Sequence, residues 1–146
     1  MRIALELKYD GGNYHGWQFQ NNVVTVQEVI QEGLHKLLRK KTAITGCGRT
    51  DTGVHAKHFV AHFDYDGELS DDFVFRLNNV LPKDIGIDAI YHVPDNFNAR
   101  FAATARTYKY HISRVKDPFG RSYSKVFYGG LDVDLMNKAC TILKTH

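Results

Sequence analysis

In the stretch Arg2-Ile3-Ala4-Leu5-Glu6-Leu7-Lys8-Tyr9, the residues Ile3, Leu5, Leu7 and Tyr9 alternate with Arg2, Ala4, Glu6 and Lys8. A side-chain period of two marks a strand with one buried face. Downstream, Thr25-Val26-Gln27-Glu28 is a capping box, in which the threonine hydroxyl serves the amide three residues on while Glu28 reaches back. Val26, Val29, Ile30, Leu34, Leu37 and Leu38 then recur at helical spacing, and Arg39, Lys40 and Lys41 stand at the carboxyl end, where cations suit the macrodipole. A short strand is expected around Ala43 to Cys47. A longer one follows, with Phe59, Ala61, Phe63 and Tyr65 alternating against His58, Val60, His62 and Asp64. Ser70-Asp71-Asp72 reads as an amino-terminal cap for a second helix with the stripe Phe73, Val74, Leu77, Val80 and Leu81, ended by Pro82. Ile87, Ala89, Tyr91 and Val93 make a fourth strand.

The order strand, helix, strand, strand, helix, strand is that of the split βαβ motif, so the expected class is α+β with a ferredoxin-like (RRM-like) core over about residues 2–93. Such an antiparallel sheet carries its helices on one face and leaves the other free for a partner. Beyond the core, residues 97–146 are expected to add a basic strand, with Arg106, Tyr108, Tyr110 and Ile112 in alternation, and a terminal helix. That helix starts near Asp132 or Asp134, with Leu135, Met136, Ala139, Ile142 and Leu143 facing inward. The chain stops at Thr145-His146 with no glycine cap, which predicts a longer protein whose carboxyl-terminal domain is absent here.

With 146 residues, 43% hydrophobic and 24% charged side chains, 12 Gly and 3 Pro, the composition excludes collagen, repeat arrays and wholesale disorder. Two cysteines are too few for a disulfide framework, and the charges spaced through Met1 to Lys8 do not suit a signal peptide. No apolar run is long enough for a membrane span. The expected setting is a soluble protein in a reducing cytoplasm. The net charge of +3 is unevenly spread: residues 64–95 hold eight acids against Arg76 and Lys83, whereas residues 100–125 hold Arg100, Arg106, Lys109, Arg114, Lys116, Arg121 and Lys125 against Asp117 alone. The second block suits a polyanion, though a solvated surface accounts for it equally well.

The segment Gly46-Cys47-Gly48-Arg49-Thr50-Asp51-Thr52-Gly53-Val54-His55 is too rich in glycine for regular structure and presents one carboxylate on a stiffened loop. Taken alone, Asp51 is more simply a turn aspartate bonding its own backbone. The long connection Asp10 to Gln20 interleaves Tyr14, Trp17 and Phe19 with glycines and amides, a pattern that either stacks bases or covers the edge of the core. Tyr108 and Tyr110 share a strand face with Arg106, which suits a nucleotide base as well as it suits packing under the sheet. His55, His58 and His62 are discounted as a metal site, because alternation separates His55 from the other two and no Cys or carboxylate joins them at ligand spacing. Asp51 with His55 lacks the nucleophile of a hydrolase.

Together these segments resemble the tRNA pseudouridine synthases of the TruA type. The resemblance rests on Tyr9-Asp10-Gly11 with Tyr14 and Gly16-Trp17-Gln18, on Val26-Gln27-Glu28, on the run from Gly46 to Ala56, and on Phe97, Ala99-Arg100-Phe101 and Ala105-Arg106 with Tyr108 and Tyr110. It spans the chain but only somewhat more than the amino-terminal half of a usual family member. It departs at Asn98, where many relatives have His, and at Cys47, where Ala is common. The resemblance implies an isomerase that converts uridine to pseudouridine in the anticodon stem-loop of tRNA. It makes Asp51 the catalytic aspartate, Arg49 a contact to the flipped nucleotide and Tyr108 the ring that stacks on the target uracil. The basic residues Arg100, Arg106, Lys109 and Arg114 become contacts to the RNA backbone. It further implies a homodimer, no cofactor, no metal, and residues completing the active site beyond His146, so that these 146 residues alone are expected to be inactive. The alternative is a non-catalytic RNA-binding module on the same sheet.

Overall fold

The computed structural model describes residues 1–144, so the uncapped end at Thr145-His146 lies outside the described residues. Two compact units divide between Arg106 and Thr107. In the first, β1 (Arg2–Tyr9) is central and pairs antiparallel with both β3 (Ala56–Asp64) and β4 (Ile85–Val93), while the two-residue β2 (Thr45–Gly46) pairs antiparallel with β3. The resulting order β2-β3-β1-β4 is that of the ferredoxin-like sheet.

The buried face follows from the register. Ile3, Leu5 and Leu7 stand opposite Phe63, Ala61 and Phe59, and all six join Val26, Ile30 and Leu34 of α1 (Val26–Leu38) and Phe73 and Leu77 of α2 (Phe73–Val80) in one core. Thr25 caps α1 as its side-chain oxygen accepts from Glu28 N at 3.4 Å, and Arg39 closes the helix in the left-handed region at φ 55°. Gly33 lets the helices approach, since a Cβ there would stand 3.0 Å from Leu81 Cδ2.

Two local readings change. Asp72 occupies the N-cap of α2 without a side-chain bond to the helix; its carboxylate instead accepts from Ser70 Oγ, and Val80 turns to the surface. In β4 the register shifts opposite Glu6 and Leu7, so that Leu7 pairs with Ile87 but Glu6 with Ala89. This bulge at Asp88 reverses the alternation. Ile85 and Ile87 point into the core, then Ile90 takes over, and Tyr91 moves to the opposite face, where its hydroxyl donates to Glu6 Oε2 at 3.0 Å.

That opposite face is partly covered. The four-residue α3 (Ala99–Ala102) is capped by Asn98, whose side-chain oxygen accepts from Arg100 N and Phe101 N. Buried His62 of β3 receives Ala99 N–H at Nδ1, 3.2 Å away, and Phe97 meets its ring edge-on. Burial and the neighbouring Arg2 hold the His62 imidazole below its ordinary pKa of 6.5.

The second unit differs from the expected strand-and-helix arm. The alternating run Arg106 to Ile112 forms strand only as β5 (Ile112–Ser113), paired in parallel with β6 (Lys125–Val126); residues 103–111 are irregular. A strand exists only where a neighbouring backbone takes its hydrogen bonds, and here just two residues find one. Helix α4 (Val133–Leu143) starts as expected, with Asp132 accepting from Leu135 N at 2.9 Å, but none of its residues is buried. Leu135, Met136, Ile142 and Leu143 stand exposed rather than inward. Among the described residues, no helix is long and apolar enough to cross a membrane.

Candidate functional site

The loop between β2 and β3 is held by the connection that precedes α1. Trp17 N donates to Thr50 O at 3.1 Å, Gly53 N to Tyr14 O at 3.2 Å, and the loop's own turn closes as Val54 N donates to Asp51 O at 3.2 Å. Tyr9 adds a side-chain tie, its hydroxyl 2.9 Å from Thr50 Oγ1. Two glycines permit this contact. Gly16 sits at φ 83°, and a Cβ on it would collide with Thr50 O; one on Gly11 would collide with Val54 O.

Tyr14 and Trp17 of that connection therefore serve the loop from beneath. Trp17 is 2% exposed and Tyr14 5% exposed, so neither is open to a base. The Trp17 ring packs 4.3 Å from that of Phe59 and 6.2 Å from that of Tyr9, under Gly46. Tyr14 donates to Asp84 Oδ1 at 2.5 Å, and Asp84 also receives Asn13 Nδ2 and, on its carbonyl, Asp10 N. Burial, together with the Asp84 carboxylate, raises the Tyr14 phenol far above its usual pKa. Phe19 stays half exposed.

Asp51 and Arg49 are both exposed at the rim of this braced loop. His55 places its Nδ1 3.1 Å from Gly11 N and 2.8 Å from Asp10 Oδ1. His58 Nδ1 lies 3.0 Å from Glu6 Oε1, and His62 is engaged by Ala99, so the three histidines have separate partners. Among the described residues, no cluster of His, Cys, Asp and Glu has the makings of a metal site.

Upstream of Asp51 the loop borders a groove of about 470 Å³ whose lining includes Gln18, Gln27, Thr45, Arg49, Arg100 and Arg106. Gln27 bridges its floor, accepting from Phe19 N at 2.8 Å and donating to Ile44 O at 2.8 Å. Arg106 forks onto Cys47 O through Nε at 3.0 Å and Nη2 at 2.5 Å, and Nη2 also reaches Arg100 O at 2.8 Å. The expected site residues thus divide. Arg49, Asp51, Arg100 and Arg106 belong to the first unit; Tyr108, Lys109 and Arg114 belong to the second, where Tyr108 is 60% exposed. Sequence reasoning missed the brackets made by Tyr9, Gln27 and Arg106. Only the density of glycine and amide residues before α1 signalled that this connection carries work.

No protein-family profile matches the chain. Comparison with curated proteins is more informative. The chain is 47% identical over 144 residues to the tRNA pseudouridine synthase A of Bacteroides fragilis, which covers 97% of this chain and 57% of that protein. Over 143 residues it is 46% identical to the enzyme of the same name from Bacteroides thetaiotaomicron, covering 97% of this chain and 53% of that protein. With the Thermoanaerobacter protein of that name it shares 39% over 148 residues. By sequence the chain falls in the class of the pseudouridine synthases. Within that class it belongs to the tRNA pseudouridine synthase A family, whose members it matches along their amino-terminal portion. It spans somewhat more than half the length of those curated relatives.

Proposed function

We propose that the protein carrying this sequence isomerises uridine to pseudouridine in the anticodon stem-loop of tRNA, with Asp51 as its catalytic carboxylate. The observation that carries this reading is Asp51 itself: an exposed carboxylate on a loop fixed through its backbone, two residues from an exposed guanidinium, in a chain nearly half identical to named tRNA pseudouridine synthases. A side chain that must meet a reacting atom needs this combination of access and rigidity.

The reaction breaks the bond from ribose C1′ to N1 of the uracil and forms one from C1′ to C5, with loss of the C5 proton. The base must therefore leave the stack and turn while held. Asp51 acts either as nucleophile at C1′ or as base on the C2′ proton, and both roles need the same approach to the ribose. In this reading Arg49 contacts the flipped nucleotide and Tyr108 stacks on the uracil. Arg100, Arg106, Lys109 and Arg114 lie along the RNA backbone. The enzyme works in the cytoplasm as a homodimer without cofactor.

The test is release of tritium from C5-labelled uridine in a tRNA transcript by the natural full-length protein. Asp51→Asn is expected to abolish release and leave tRNA binding largely intact. Binding without release by the unaltered protein would instead support an RNA-binding module, and undiminished release by Asp51→Asn would remove the carboxylate from the mechanism.

A further inference from the structure

Among the described residues of the sheet unit, the buried polar side chains are Thr25, Thr42 and His62, and of these only His62 titrates. It is 6% exposed, on the face of β3 away from the core. Its ring joins two elements. Nδ1 accepts from Ala99 N at 3.2 Å, and the ring also hydrogen-bonds the backbone of Thr45, its register partner on β2. The Ala99 amide turns to His62 because an amide of the first helical turn finds no carbonyl within its own helix, and the Asn98 cap serves Arg100 N and Phe101 N instead. Both elements border the candidate site: α3 carries Arg100, and Thr45–Gly46 lead into the loop of Arg49 and Asp51. Arg106 adds a second tie between them, donating to Cys47 O at 3.0 Å and to Arg100 O at 2.8 Å.

We propose that His62 is a positioning residue for tRNA binding: its Nδ1 lone pair seats α3 on the sheet and so fixes Arg100 beside the upstream end of the Asp51 loop. The inference rests on the reading of the protein as a tRNA-modifying enzyme with Arg100 on the RNA backbone, and adds the group that places that arginine. The role demands a ring without a proton on Nδ1. Protonation there sets one N–H against another, and two donors cannot share a bond. The surroundings keep the ring in the required state, since burial and then Arg2 disfavour the charged form against smaller pulls from Asp64 and the Thr45 backbone. The charged groups that face it are Arg2 of β1 and Asp64 of β3, themselves bonded at 2.8 Å, while Thr45 of β2 and Ala99 of α3 meet it uncharged. Because separate bonds from Trp17 N and to Tyr14 O brace the Asp51 loop, loss of the His62 bond is expected to weaken tRNA binding and spare the chemical step.

The experiment is tritium release from a C5-labelled tRNA transcript by the full-length protein, with KM and kcat resolved for the unaltered chain, His62→Leu and His62→Asn. Leucine offers no acceptor to Ala99 N–H, whereas the asparagine oxygen takes the place of Nδ1 and the side chain does not titrate. A hydrogen bond of ordinary strength is worth roughly fivefold. At about pH 7.5, where the ring is neutral, His62→Leu is expected to raise KM by that factor with kcat unchanged, and His62→Asn to restore it. As pH falls from there to about 5.5, KM of the unaltered protein is expected to climb relative to that of His62→Asn. An unchanged KM in His62→Leu, a fall in kcat alone, failure of asparagine to restore KM, or parallel pH profiles each overturn the role. Should His62→Leu not fold, the pH comparison of the other two proteins decides. Absence of turnover by the unaltered protein refutes the enzymatic reading instead, and the same comparisons made on tRNA affinity then decide the role of His62.

Discussion

The unit from Met1 to Arg106 and the unit from Thr107 onward carry similar apolar periodicity and reach opposite outcomes. In the first, Ile3, Leu5, Leu7, Ile30 and Leu34 are wholly buried; in the second, Leu135 is 63% and Ile142 62% exposed, on a helix that buries nothing. The helical stripe of α1 has a sheet to lie on. That of α4 has none among the described residues of its unit. Periodicity states which side chains share a face, and only a second layer turns that face into a core.

The sharpest way to break this contrast is truncation of one leucine in each stripe. Leu34→Ala leaves a void among α1, α2 and the sheet and is expected to cost about 2–5 kcal/mol. Leu135→Ala is expected to stay within about 0.5 kcal/mol, as surface changes do. Denaturant unfolding measures both, and equal losses would mean that the second unit is stabilised by contacts its exposure does not reveal.

A smaller effect tests whether the core of the first unit also sets the loop. A Cβ on Gly46 would stand 2.6 Å from Trp17 Cε2 and 2.7 Å from Phe59 Cε1, both rings being buried. Gly46→Ala is therefore expected to cost about 1–3 kcal/mol by overpacking. Because Trp17 N–H holds Thr50 O, the proposed function predicts lower tritium release from the full-length variant as well. Thermal unfolding and tritium release read the two consequences separately.

The smallest expected effect is a pH dependence at the covered part of the open sheet face. The His62 pKa is lowered in the folded chain, first by burial and then by Arg2, so the unfolded chain binds the proton more readily. Stability from this group is complete above about pH 6.5, the ordinary histidine value, and declines as pH falls from there towards the lowered one. His62→Gln keeps an acceptor for Ala99 N–H and removes the titration, so its melting temperature should vary less than that of the unaltered chain between about pH 7 and pH 5. Parallel pH profiles would show that His62 does not titrate against folding.

Most of the sheet unit was legible because its signals are local. Alternation in Arg2 to Tyr9 and the capping box at Thr25 each dictate an element without reference to the rest of the chain, and the order of elements then names the fold. The reversal in β4 was not legible, since the bulge at Asp88 arises from pairing with β1. The extended run from Arg106 to Ile112 has strand alternation, but strand formation depends on an available edge. The role of Trp17 was evenly balanced between a base platform and a piece of core until the packing of Phe59 and Gly46 placed it beneath the loop.

For the candidate site, the sequence by itself determined that Arg49 and Asp51 share a glycine-bounded loop, because spacing and composition are properties of the chain alone. Only the tertiary structure decided what braces that loop and where positive charge collects. Both depend on residues far apart in sequence, Gly16 against Thr50 and Arg106 against Cys47, whose meeting is set by the packing of the sheet and by no local preference.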